Sequence, residues 1–164
     1  MNLKFKNTGL QIGGRDINNV MRWGAAVGVM VLLLWGNTYA MARELAIVAN
    51  KDFPSNAVTV AGVKEIYLGK KMTEGGVKIK PMEYNDKALK RKFIEKVMGS
   101  SIDGYKVYWI KKYFQEGITP PTNISSSAAL LQSVAQASGG IGYVWADEVK
   151  GDGVKVLLKV EVGN

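Results

Sequence analysis

Two glycine-punctuated runs constrain what this chain can become. In Ile66-Tyr67-Leu68-Gly69-Lys70 a predicted helix stops, and in Gly139-Gly140-Ile141-Gly142-Tyr143-Val144 a second helix hands over to a buried strand. Glycine at a helix end accepts the left-handed backbone that closes the last turn. Apolar residues directly after such a stop read as a strand covered on both faces. Helices and strands alternating in this way imply an α/β sandwich with helices packed on a sheet.

The rest of the chain fits the same pattern. Leu45 to Ala49 is a continuous apolar run suited to a central strand, and Asn50 to Asn56 with Pro54 reads as a loop. Val60 to Leu68 puts Val63, Ile66 and Tyr67 at helical spacing. Val77, Ile79 and Pro81 alternate with Lys78 and Lys80, which predicts one strand exposed on one side. Asn85 or Asp86 caps a helix whose Leu89, Phe93 and Val97 recur every fourth residue before Gly99.

A third helix is predicted from Ile102 to Glu116. There Val107, Ile110 and Phe114 form one row beside the stripe of Tyr105, Trp109 and Tyr113, a wide apolar face read as ordinary core packing. Any part of it left exposed is the best surface for protein contact, including contact with another copy. Thr119 to Asn123 with two prolines is an extended connection. Ser125, Ser126 or Ser127 then caps a fourth helix bearing Leu131, Val134 and Ala135. Ile141 to Trp145 and Val154 to Val160 supply the last strands, for a sheet of four or so.

Composition excludes several chemistries. With no cysteine and no histidine, the chain has no disulfide, no thiolate, no Cys/His zinc site and none of the usual serine or cysteine triads. No acidic spacing around a glycine resembles a calcium loop, and a hydrolase built on Asp and Ser alone is a poor reading. A protein that binds rather than catalyses, with no metal and no cofactor, is expected.

Arg22, the uncharged apolar run Gly24 to Trp35 and then Ala40-Met41-Ala42 have the parts of a secretory signal, with cleavage after Ala42. Met21 is an alternative start that gives a leader of ordinary length. The run breaks at Gly36-Asn37-Thr38, short of the roughly 20 apolar residues of a permanent span, so an uncleaved anchor is the weaker alternative. The expected division is therefore an extension and signal over 1–42 and one α/β domain over 43–164. Losing the leader lowers the formal charge from +8 to about +5, with lysines dispersed among carboxylates. Such a surface serves solubility or attracts anions.

The two glycine runs, with Trp109, Phe114, Gly117 and Pro120-Pro121 in order between them, resemble the phosphate-binding proteins of ABC importers. The resemblance covers Leu45 to Val149, about one lobe of a usually two-lobed protein. It implies a single lobe of a type II periplasmic-binding-protein fold, periplasmic export, a small oxyanion ligand with phosphate foremost, and an ABC permease as partner. The family's arginine and serine-glycine-threonine turn are missing, because the corresponding stretch reads Met82-Glu83-Tyr84-Asn85-Asp86-Lys87-Ala88-Leu89. Glu83 and Asp86 there would repel a dianion.

The candidate anion contacts are accordingly two helix starts, Asn85, Asp86 and Lys87, and Ser125, Ser126 and Ser127, where free backbone N–H groups point outward. Simple helix capping accounts for the same residues. A homodimer or a partner would supply the wall a single lobe lacks. The alternative function is an envelope protein-interaction module using Tyr105, Trp109 and Tyr113, with solute binding lost. Stacking of nucleic acid on those aromatics is disfavoured by export.

Overall fold

A computed structural model describes residues 43–163. The extension and signal expected over 1–42 lie outside the described residues. Five strands form the sheet in the order β5-β4-β6-β1-β7: β1 (Glu44–Asn50), β4 (Lys80–Tyr84), β5 (Thr122–Ile124), β6 (Gly140–Trp145) and β7 (Val154–Glu161). β4 runs parallel to β5 and β6, while β1 is antiparallel to β6 and β7. A separate small hairpin pairs β2 (Thr73–Glu74) with β3 (Val77–Lys78).

Side-chain alternation along β1 sets the two layers. Leu45, Ile47 and Ala49 face a core closed by α1 (Val60–Tyr67), α2 (Lys87–Phe93) and α3 (Ile102–Glu116), whereas Ala46 and Val48 face α4 (Ser127–Gln136). All five of these strand residues are fully buried. The first core centres on an aromatic stack in which Phe93 lies 3.9 Å from Tyr143, nearly parallel, with Tyr67 edge-on at 4.8 Å. Such pairs add to the area they bury.

The glycine run before β6 works by close approach. Gly139 has φ +76°, and a Cβ there would land on the Lys78 carbonyl oxygen; a Cβ on Gly142 would meet Leu130 of α4 at 2.6 Å. Without side chains at these points, α4 and the strand before β4 lie directly against β6.

Three sequence expectations change. The single strand expected through Val77, Ile79 and Pro81 is two pieces: Ile79 donates its N–H to Met72 across the hairpin, and the sheet strand runs on to Tyr84. The Pro120-Pro121 connection enters the sheet as β5, an edge strand whose prolines precede the paired residues Thr122 to Ile124. The row Val107, Ile110 and Phe114 does not pack into the core. These residues are 48%, 47% and 80% exposed, and Tyr113 is 50% exposed, while Lys112 is buried in their stead. α2 keeps its expected stripe, and its last turn widens over Ile94–Met98 before Gly99 closes it with φ +60°.

Candidate functional site

The parallel pairing of β4 and β5 brings the two candidate helix starts together. Tyr84 stands opposite Ile124, and the Asn85 N–H donates to the Ile124 carbonyl at 2.9 Å, so both strands end at one edge of the sheet. Asn85, Asp86 and Lys87 leave β4 there, and Ser125, Ser126 and Ser127 leave β5 beside them. The sequence separates these trios by almost 40 residues.

Capping claims two of the six. The Asp86 carboxylate accepts from the Ala88 and Leu89 N–H groups at 2.8 and 3.0 Å, and the Ser126 hydroxyl accepts from Ala129 at 3.2 Å. Each satisfies a backbone donor that has no partner inside its helix. Asn85, Lys87 and Ser125 are exposed, and Ser127 is half-buried, facing outward along α4 towards a cleft it shares with Glu148 and Val154.

Glu83, expected to repel an anion, is turned inward. It is 3% exposed, its carboxylate accepts from Lys90 Nζ at 2.5 Å and from the Tyr105 hydroxyl at 2.8 Å, and both oxygens are therefore engaged. Lys90 cancels its charge beneath the site. Burial first, and then the Glu83 carboxylate, push the Tyr67, Tyr105 and Tyr143 phenols above the usual tyrosine range, so all three stay protonated, and Tyr67 donates to the Met82 carbonyl while the Tyr143 hydroxyl is buried without a partner.

Tyr105 and Trp109 have structural work. The Tyr108 hydroxyl donates to the Leu68 carbonyl at 2.7 Å, and the Tyr105 hydroxyl donates to the Tyr67 carbonyl at 3.2 Å, so α3 closes off the last carbonyls of α1. Trp109 stands edge-on to both tyrosines, and its ring tip reaches Gly69, where a Cβ would meet it at 3.1 Å. The two sequence landmarks Gly69 and Trp109 thus touch. Tyr113 takes no part in this. It lines, with Ile102, Ile110, Pro120 and Pro121, an apolar groove of about 520 Å³ floored by Glu83 and Asn123. Sequence reasoning missed that groove, because the periodicity of α3 assigned its lining to the core.

These helices also carry the positive charge. Residues 87 to 112 hold eight Lys or Arg against two acids, so the excess that appears dispersed along the chain is concentrated on α2 and α3.

No protein-family model matches the chain, and no curated protein matches it in sequence. Solved structures do. An ABC-type phosphate transport receptor from Vibrio cholerae superposes with a TM-score of 0.53 at 21% identity, over 70% of this chain and 45% of the receptor. A Clostridium perfringens protein described as a phosphate ABC transporter substrate-binding protein, solved with bound phosphate, gives 0.55 at 21% identity over 70% and 44%.

The fold is that of the phosphate receptors of ABC transporters. The chain spans less than half the length of these receptors. Within the receptor fold, the strand order and the glycine runs answer the expectation of an α/β lobe with a mixed sheet of about four or more strands, and the sheet has five. Among the described residues, no helix is long and apolar enough to cross a membrane.

Proposed function

We propose that this chain is an exported, non-enzymatic binding lobe that takes a small oxyanion, phosphate foremost, at the shared edge of β4 and β5, in connection with ABC-type import. The observation that carries the reading is the meeting of two helix starts where two parallel strands end. Open α/β sheets bind ligands outside the carboxyl ends of their strands, and helix starts favour anions. Lys87 supplies the charge, while Asn85, Ser125 and Ser127 supply polar side chains. The inward pairing of Glu83 with Lys90 removes one of the two repulsions expected from the sequence, and Asp86 directs its carboxylate to its own helix. A permease or another envelope protein provides the facing wall, without which the affinity is low.

Isothermal titration of phosphate into Arg43 to Asn164 at low ionic strength, with sulfate as competitor, tests this reading. Saturable heat with phosphate, lost in Lys87→Glu, supports it. Absence of heat up to millimolar phosphate removes it.

A second reading, a protein-interaction module without a solute, is favoured by the exposed apolar flank of α3. Under it Lys87→Glu changes nothing, and substitutions at Ile110 or Phe114 abolish function without unfolding the chain.

A further inference from the structure

The outward face of α3 carries apolar residues where a solvated helix is polar, and its charge pattern inverts about Val107. Asp103, Val107 and Lys111 lie at i, i+4 and i+8 along one exposed stripe, so an acid and a base stand one helical turn on either side of Val107. Apolar side chains lie on and beside that stripe, with Val107 48%, Ile110 47% and Phe114 80% exposed.

From this we infer that α3 is the contact between two copies of this chain, packed antiparallel about a two-fold axis through Val107. Antiparallel pairing about that point sets Asp103 opposite the other copy's Lys111 twice over. Val107 meets its own copy on the axis, and a two-fold contact requires a patch to complement itself, charge to opposite charge. An unrelated partner would impose no such inversion on α3. Opposed helix dipoles also favour the antiparallel arrangement.

The alternatives fit less well. The free edge of β5 beside α3 has only three paired residues and is preceded by two prolines, which guards it against an added strand. A bilayer surface would draw on lysines flanking an apolar crest, but Asp103 lies on that crest. Two helix faces bury less than the roughly 1,600 Å² of a standard interface, and the positive charge on α2 opposes approach, so the dimer is transient. This inference does not rest on the oxyanion reading, and each can fail alone.

The absence of cysteine makes the test direct. In the full chain, Val107→Cys, oxidised with copper phenanthroline, gives a disulfide-linked dimer at a rate on the order of tenfold above Lys87→Cys, since only a residue on the axis meets its own copy at high effective concentration. Asp103→Cys mixed with Lys111→Cys forms the crossed dimer in preference to either same-residue dimer. Asp103→Lys or Lys111→Asp, placed in the Val107→Cys background, slows the cross-linking, and the double substitution restores it. All four positions are exposed, and circular dichroism of each variant checks that the fold is intact.

The inference is overturned if Val107→Cys links no faster than Lys87→Cys, or if the charge swap fails to restore the rate. It is equally overturned if Val107→Cys links instead to a different protein, or if the chain binds vesicles of phosphatidylcholine and phosphatidylglycerol and loses that binding with Phe114→Ser.

Discussion

α2 and α3 lie on the same face of the same sheet and treat apolar residues in opposite ways. α2 buries Leu89 and Phe93 completely, leaving Lys87 and Arg91 outside. α3 buries Tyr105, Trp109 and the stem of Lys112, and turns Val107, Ile110 and Phe114 to solvent. The buried face of α3 is chosen by hydrogen bonding as much as by hydrophobicity, because its tyrosines must reach the last carbonyls of α1 and the Glu83 carboxylate. Once that face is fixed, the apolar row has nowhere to go but outward. A helix can therefore be core on polar grounds and surface on apolar grounds, and the difference separates a residue that stabilises from one that is free to contact a partner.

Substitution puts that contrast to the test. Phe93→Ala should cost about 3–5 kcal/mol, since it empties a stacked, fully buried site; the midpoint of urea unfolding would report it. A loss under 1 kcal/mol would mean that the α2 core is not the support of the sheet.

Glu83→Gln should cost about 1–3 kcal/mol by removing the charge that engages Lys90 and Tyr105. It is less than the loss at Phe93 because Lys90 is partly exposed and turns to water. The same substitution should also make Tyr105 easier to ionise, and an unchanged tyrosine titration would show that the carboxylate does not govern the packing of α3.

Alkaline titration followed by tyrosine absorbance tests the buried face that α3 shares with α1 and β6. Tyr67, Tyr105 and Tyr143 have raised folded values, so the folded state holds their protons more tightly than the unfolded state. Their contribution to stability is complete below the unfolded value of about 10 and fades as pH rises through it towards the folded values. They should therefore ionise only as the chain unfolds. Ionisation of Tyr67, Tyr105 or Tyr143 without unfolding would contradict the burial described.

The smallest effect belongs to Phe114→Ser, which should shift unfolding by no more than about 0.5 kcal/mol in dilute solution. A loss matching that at Phe93 would place the row in the core after all and end the contrast.

Much of the fold was legible because it depends on local signals. The stripe of Leu89, Phe93 and Val97, the glycine stops and the all-apolar Leu45 to Ala49 each state their role within a few residues. β5 was hidden because two prolines read as a connection, and its three paired residues are specified by the neighbouring β4 rather than by their own sequence. The exposure of Ile110 and Phe114 was hidden for a related reason: periodicity shows that a helix has an apolar side but not whether another element arrives to cover it. At the candidate site, the capping residues could be foreseen from their type and position. Their convergence from two distant segments needed the parallel register of β4 and β5. Lys90 as the partner of Glu83 had no local signal, since the two stand seven residues apart across a strand-to-helix turn.

β1 occupies the interior of the sheet and is hydrogen-bonded on one side to residues 141–145 and on the other to residues 154–161. Loops of about 100 residues must close before this strand gains either neighbour, and such long-range closure slows folding. Until both β6 and β7 are in place, β1, whose Leu45 to Ala49 are fully buried in the finished domain, has an open edge, so a chain that stops short of residue 154 leaves an apolar strand half-paired and open to a chaperone.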